Sequence, residues 1–254
     1  MNSIIAHLPA PGRPSRLASA GRWLCARIPT PCPLCANRAV GGYLCLGCTN
    51  DIRATMRQRL PRCQRCALRL PAEGAQCPDC IALAPAYART IAAFDYETPA
   101  DELIRLLKSG LRYSVTRALA ALLAEAVANS DVPLLPNTLL IAVPSSLASL
   151  RRRGFNPAGE IARVLAPQLG LNWAVNGLRR EREGARQTSL DRQGRLRATR
   201  GLFHCVLPLQ DVPVAIVDDV MTTGGTLDAA ARAVLKAGAV AVTALVAARA
   251  PTWR

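Results

Sequence analysis

Ile216-Val217-Asp218-Asp219-Val220-Met221-Thr222-Thr223-Gly224-Gly225-Thr226 follows directly on Pro213-Val214-Ala215, and the whole stretch reads as strand, acids, loop and helix start. Residues 213 to 217 are almost all apolar and partly β-branched, which suits a short strand buried on both faces of a parallel sheet. Asp218 and Asp219 are expected to end that strand. Small residues, Thr222 to Thr226, come next, and the Ala-rich segment from Leu227 to Ala237 has the composition of a helix. Such a loop can wrap a phosphate: glycines let backbone N–H groups come close, threonine hydroxyls add donors, and the helix N-terminus adds partial positive charge. Two carboxylates beside it can hold vicinal sugar hydroxyls. The plainer alternative is a Thr-Gly capped turn, and the apolar strand and paired acids in front of it weigh against that.

The eleven-residue pattern resembles the signature of the type I phosphoribosyltransferases, whose ligand is 5-phosphoribosyl-1-pyrophosphate (PRPP) with magnesium. No lysine stands in the turn, which separates it from a Walker loop, and the acids precede the glycines, which separates it from a dinucleotide fingerprint. By that resemblance Asp218 and Asp219 are the catalytic pair at the ribose. Thr222, Thr223, Gly224, Gly225 and Thr226 form the cradle of the 5-phosphate.

Outward from this stretch, Leu139 to Val143 reads as a second buried strand, with Pro144-Ser145-Ser146 at its C-terminal end, where open α/β sheets place ligands. Arg151, Arg152 and Arg153 lie just beyond as candidate contacts to a pyrophosphate or a nucleic-acid backbone. A solvated basic loop accounts for them about equally well. Apolar spacing predicts helices over 101–108, ended by Gly110, and over 115–128 and 158–169. Lys108 is a candidate ligand contact, although a lysine near a helix C-terminus is more often a solvated cap. Further strands are expected at 173–175, within 202–207 and at 241–247, with Arg249-Ala250-Pro251 as a closing tail. A strand or two is expected in the junction 84–99. Residues 178–200 carry eight arginines and little apolar periodicity, the pattern of a loop or flap. Closure over a phosphorylated substrate, nucleic-acid binding and plain solvation all fit it.

The cysteines give a second signal. Nine of the ten precede residue 81, and eight form C-x2-C pairs: Cys32/Cys35, Cys45/Cys48, Cys63/Cys66 and Cys77/Cys80. That spacing in a cytoplasmic chain points to tetrahedral zinc rather than to disulfides. The offsets between matching cysteines, 31 and 32 residues, mark an internal duplication. The simplest arrangement gives each half its own ion, Cys32/Cys35/Cys45/Cys48 and Cys63/Cys66/Cys77/Cys80, with a cross-braced pairing as the alternative. Residues 31 to 82 hold few large apolar side chains, and two structural Zn ions supply the missing folding energy, roughly 10–16 kcal/mol of apparent binding energy per site.

The chain of 254 residues carries 32 Lys and Arg against 17 Asp and Glu, a formal charge of +15 that two zinc ions on eight thiolates lower to +11. A surface this basic attracts nucleic acid, phosphorylated metabolites or acidic partners. Aromatics at 4 % leave few stacking platforms for single strands. No apolar run approaches the ~18 residues a membrane span requires, and the first thirty residues, broken by Pro9, Pro11 and Pro14, lack a continuous signal-like core. They read as a tail leading to a short helix over 17–25 in a cytoplasmic protein without membrane insertion. Neither His7 nor His204 lies near a motif.

Taken together, the four C-x2-C pairs, Leu107-Lys108, Val143-Pro144, Arg152-Arg153-Gly154-Phe155-Asn156, Gln187 and Leu190, Gly201 with Phe203, and the run 217–226 resemble the ComF (competence protein F) family over about residues 30 to 250. The resemblance implies an α/β fold: a type I phosphoribosyltransferase-like parallel sheet with helices on both faces, preceded by a small double zinc ribbon. The corresponding division is a tail over 1–30, the ribbons over 31–82, a linker and packing helix over 83–113, and the phosphoribosyltransferase-like domain over 114–254. The implied biology is handling of incoming single-stranded DNA in natural transformation, alongside DNA-processing proteins. The chain departs from the family pattern at Ser145-Ser146, Ser149, Pro157 and Ala198, near the pyrophosphate side rather than the ribose-phosphate loop. Two functions stay open: a binding module for PRPP with Mg or a related ribose phosphate, acting on single-stranded DNA, and an active phosphoribosyltransferase with an unidentified acceptor.

Overall fold

The computed structural model describes residues 27–57, 61–73, 77–181 and 201–250. The expected helix over 17–25, Cys25, His7, and residues 182–200 of the arginine-rich segment with Gln187, Leu190 and Ala198 lie outside the described residues. The cysteine pairs lie between and at the starts of β1 (Pro29–Pro31), β2 (Arg38–Val40), α1 (Leu46–Arg57) and α2 (Pro78–Leu83), with Cys48 in α1 and Cys80 in α2. The junction then supplies one strand, β3 (Arg89–Asp95), followed by α3 (Asp101–Lys108) and α4 (Val115–Ala128). Next come β4 (Leu139–Ala142), α5 (Leu147–Arg153), α6 (Pro157–Leu169), β5 (Asn172–Ala174) and the pair β6 (Leu178–Arg180) and β7 (Phe203–Cys205). The chain closes with β8 (Pro213–Met221), α7 (Gly225–Lys236) and β9 (Ala241–Arg249).

Five of these strands make one sheet in the order β3-β9-β8-β4-β5, and every pairing in it is parallel. Parallel neighbours need crossovers, and helices cover both faces, so the central strands read as continuous apolar runs. The period of two still sorts their side chains. Leu139, Ile141, Val214 and Ile216 face α7 and the β6/β7 hairpin, whereas Leu140, Ala215 and Val217 face α3, α4 and α6. On α3 the spacing of Leu103, Ile104 and Leu107 buries one side, with Asp101 and Glu102 in the first turn and Lys108 in the last, as the helix dipole favours. This is the phosphoribosyltransferase-like sheet that the sequence implied.

Three local differences matter for the site. β8 does not stop at its acids: Val220 and Met221 still pair with Ala248 and Arg249 of β9. The first residue of the expected closing tail, Arg249, is therefore the last of β9 and is only 1 % exposed. Finally, the arginine cluster is helical. The Ser146 hydroxyl accepts the Ser149 N–H to start α5, and Gly154, with φ at +77°, ends it. None of its residues is buried, so no apolar period announced it.

The cysteine segments dock on opposite faces of the sheet. Ile52 of α1 joins the core under α3 and α4. Cys63, Cys66, Ala67, Leu70 and Cys77 join the core under α7 instead. Asp95, fully buried at the end of β3, accepts two bonds from Arg62 at 2.9 and 2.6 Å and an ion pair from Arg69 at 2.6 Å. Arg62 and Arg69 face each other across an isolated bridge beside Cys63 and Cys66. Removing one partner from a buried pair of this kind typically costs about 3–5 kcal/mol, so the clasp fixes the second cysteine segment to the sheet. No described helix is long and apolar enough to cross a membrane.

Candidate functional site

β4 leads outward through α5 and α6 to β5, while β8 lies on the other side of β4 and leads to β9. The strand order therefore reverses between β4 and β8, the switch point at which open α/β sheets bind ligands beyond their C-terminal ends. A cleft of about 210 Å³ opens there. Its walls are Asp218 and Asp219 from β8, Thr226 from α7, Val143 to Ser146 after β4, Arg153 of α5, Asn156, Lys108 and Arg180. A larger cleft of about 830 Å³ lies between the first cysteine hairpin and helices α4 and α6, lined by Tyr43, Tyr113, Arg117 and Arg163 among others, with no carboxylate among the described residues of its walls. Volume alone does not mark the site; the convergence of acids and cations does.

Lys108 Nζ lies 2.9 Å from Asp219 Oδ2, so α3 delivers a cation to the acids of β8. The Asp219 N–H donates to Asp218 Oδ1 at 2.8 Å. Burial and then the neighbouring Asp219 carboxylate push the Asp218 carboxyl up to about 7, with Lys108 acting in the opposite direction. Near neutrality Asp218 thus gives up a proton when a cation or a polarised hydroxyl approaches. Two adjacent carboxylates, one carrying a displaceable proton and one already holding a cation, have the hard-oxygen chemistry that magnesium or a vicinal diol requires.

Opposite the acids, Ser145 Oγ donates to Asn156 Oδ1 at 2.9 Å and Asn156 Nδ2 donates to the Val143 carbonyl at 2.9 Å. These bonds tie the start of α6 to the end of β4. Of the three arginines singled out in the sequence, only Arg153 reaches the cleft, and its Nε is buried without a partner. Arg151 and Arg152 are exposed, because successive positions on a helix point in different directions. Arg180, read in the sequence as part of a flap, enters the cleft from β6 with its guanidinium over the Phe203 ring.

The loop at the foot of α7 has Gly224 at φ +81° as its N-cap. A Cβ there would stand 2.6 Å from Tyr87 Oη and 2.7 Å from Met221 Cε, so glycine is required by conformation and by space. Thr223 Oγ1 accepts from Gly225 N at 3.3 Å, and Asp228 Oδ1 accepts from Ala86 N at 2.7 Å. Of the five loop residues, Thr226 lines the cleft, Gly224 and Gly225 are buried, Thr223 is half-buried and Thr222 is exposed. His204 is the exposed residue of β7, between buried Phe203 and Cys205, and does not line the cleft.

Lys108, Ser145, Asn156 and Arg180 complete the cleft. The signals that point to them are the end of α3, the turn after β4, the start of α6 and the last residue of a short strand.

The cysteines fall into the two sequential groups, Cys32/Cys35/Cys45/Cys48 and Cys63/Cys66/Cys77/Cys80, each with its sulfurs within 4.8 Å of one another. A tetrahedron with Zn–S bonds of 2.3 Å has edges of about 3.8 Å. The separations Cys35–Cys45 at 3.6 Å, Cys63–Cys80 at 3.7 Å and Cys66–Cys77 at 3.7 Å fit it. Hydrogen bonding to Cys80 pulls the Cys66 thiol down to about 4, and the same contact pushes Cys80 up. Four sulfurs this close share protons unless a cation replaces them. All-sulfur donors leave no open position, the pattern of a structural rather than a catalytic ion.

Residues 143–253 match the phosphoribosyl transferase domain. The DNA utilization protein YhgH of Salmonella typhimurium is 31 % identical over 219 residues, 85 % of this chain and 95 % of that protein. Competence protein F of Haemophilus influenzae is 28 % identical over 200 residues, 77 % of this chain and 85 % of its own. Among solved structures, the allosteric regulatory enzyme of purine biosynthesis aligns with 52 % of this chain and 26 % of its own at 22 % identity and a TM-score of 0.34, too loose a superposition to add to the sheet order.

Proposed function

The chain belongs to the ComF family, with the DNA utilization protein YhgH and competence protein F among its relatives, and from that premise we propose that it binds PRPP with magnesium, or a related ribose phosphate, and acts on single-stranded DNA in the cytoplasm during DNA uptake. The observation that carries the ligand assignment is the meeting of Asp218 and Asp219 with Thr226 at the switch point, facing Lys108 and Arg153. In this reading the two carboxylates accept the ribose hydroxyls, and the backbone and hydroxyls of 222–226 receive the 5-phosphate at the start of α7. Arg153 and Lys108 face the pyrophosphate. Asp218 and Asp219 would also hold magnesium, which when bound neutralises pyrophosphate charge. The two cysteine tetrads each hold a structural zinc ion.

A second reading, transfer of ribose phosphate to an acceptor, is favoured by the cations opposite the acids. A positive ribose centre beside the carboxylates and a departing anion beside Lys108 and Arg153 give each developing charge a partner. DNA-processing proteins are the partners expected in the first reading.

The test is calorimetric titration of zinc-loaded protein with PRPP and magnesium, beside a variant carrying Asp218→Asn and Asp219→Asn. Saturable binding by the parent protein and none by the variant is the expected result. Equal binding by both would remove the acids from the site. Pyrophosphate release in the presence of candidate acceptors separates the second reading from the first.

A further inference from the structure

The end of β9 holds a buried cation whose bonds run in two directions. Arg249 Nε donates to the Cys66 carbonyl at 2.7 Å, and its Nη1 donates to the carbonyls of Thr222 at 2.8 Å and Ala250 at 2.6 Å, with Met221 at 3.3 Å. Among the described residues it pairs with no carboxylate, although it is 1 % exposed. A guanidinium in that position is costly to bury and is retained only where its donors are well used. Its donors join the second cysteine tetrad to the first residue of the 222–226 loop.

Two neighbours reinforce the link. Thr90 Oγ1 donates to the Arg65 carbonyl at 2.8 Å and lies 3.8 Å from Met221 Sδ. Tyr87, buried in the same core as Cys63, Cys66 and Cys77, is one of the two residues that a Cβ on Gly224 would strike. Among the described residues no hydrogen bond joins the first tetrad's segment to the 222–226 loop directly, and α1 is hydrogen-bonded to the second segment only where Arg69 Nη2 donates to the Thr55 carbonyl at 3.2 Å. The first tetrad's hairpin is bonded to α4 through Arg117 Nη1 and the Gly41 carbonyl at 3.0 Å, on the opposite face of the sheet.

Resting on the reading of 222–226 as a ribose-phosphate loop, we propose that Arg249 is a positioning residue for that loop and transmits to it the folded state of the second tetrad, so that metal at Cys63, Cys66, Cys77 and Cys80, and not at the first tetrad, controls ligand affinity. The bound ion fixes the turn that presents the Cys66 carbonyl. That carbonyl orients the guanidinium, and the guanidinium holds the Thr222 carbonyl and with it the start of the loop. A divalent ion on four thiolates leaves two negative charges beside Arg249, which offsets the burial of its own charge.

The test uses the full chain with Arg249→Gln, Arg249→Lys, Cys77→Ser in the second tetrad and Cys45→Ser in the first. Zinc content, hydrogen exchange over 218–228 and PRPP/magnesium calorimetry are measured on each. Arg249→Gln is expected to retain two zinc ions and native exchange across β3, β4 and β8 up to Val217, to exchange faster at 222–226, and to bind about tenfold more weakly, a difference of 1.4 kcal/mol. Arg249→Lys keeps the charge but loses the fork, so it shows the same loss. Cys77→Ser reproduces the loosened loop, and Cys45→Ser leaves the loop unchanged.

Unchanged loop exchange in Arg249→Gln, or equal loosening by the two cysteine variants, overturns the proposal. So does faster exchange spread over the whole sheet, which is the mark of a purely structural arginine. Should Arg249→Gln fail to fold, the comparison of the two cysteine variants decides the matter. Failure of the parent protein to bind PRPP removes the ligand reading, while loop exchange still decides the coupling.

Discussion

At Asp218, burial and the Asp219 carboxylate outweigh the attraction of Lys108, and the carboxyl holds its proton up to about pH 7. The sign of the consequence is fixed. Between the ordinary carboxyl range and pH 7 the folded protein keeps a proton that the unfolded chain has released, so this group's favourable contribution is complete in acid and is lost as pH rises through 7. Asp218→Asn, neutral at every pH, is expected to melt above the parent protein at pH 8 and to show a smaller difference at pH 5. A change in that difference of at least about 2 °C, the shift that roughly 1 kcal/mol produces in a chain of this size, would be seen by thermal unfolding; a constant difference would mean the carboxyl titrates normally. The acids themselves were legible from sequence because acids after a buried strand are rare without a use. Arg249 and Arg180 were not, since an arginine near a chain end or in a basic run reads as solvated. Only the partners brought by other segments of the chain show otherwise.

The unit of β8, loop and α7 depends on one glycine. Gly224→Ala places a methyl group at positive φ, at about 1–2 kcal/mol, and against Tyr87 and Met221, at a further 1–3 kcal/mol of overpacking. A fall in melting temperature of about 4–20 °C is expected from these together. Tyr87→Phe, which removes the Oη that the methyl meets, should recover part of it in the double variant. A double variant no more stable than Gly224→Ala would show that the strain lies in the backbone alone. Among the other elements, α3 and α4 have the boundaries that apolar spacing gave, because each buries one continuous side. α5 was missed because it buries none, and β8 and β9 ran past their expected ends because their mutual pairing, which is not local, holds polar residues in the ladder.

Across the whole molecule, charge is the property most open to a direct test. With a formal +15, the chain is expected to bind single-stranded oligonucleotides with a logarithmic affinity that falls linearly with the logarithm of salt, at a slope of about −0.7 per phosphate contacted. Fluorescence anisotropy from 50 to 300 mM salt would measure it, and a flat response would refute the electrostatic account. The division into a cysteine-rich part and an α/β part was plain from composition. Their attachment on both faces of the sheet was not, because it rests on Asp95, Arg249 and Ile52, single residues whose partners are far away in sequence. The sheet order has one more consequence, for the order of events during synthesis. β3 pairs with β9 alone among the sheet strands, so a strand translated before residue 96 waits for one that begins at 241. Until the last described strand leaves the ribosome, the early edge stays open, and among the described residues the cysteine segments that emerge before it are the first parts able to fold locally.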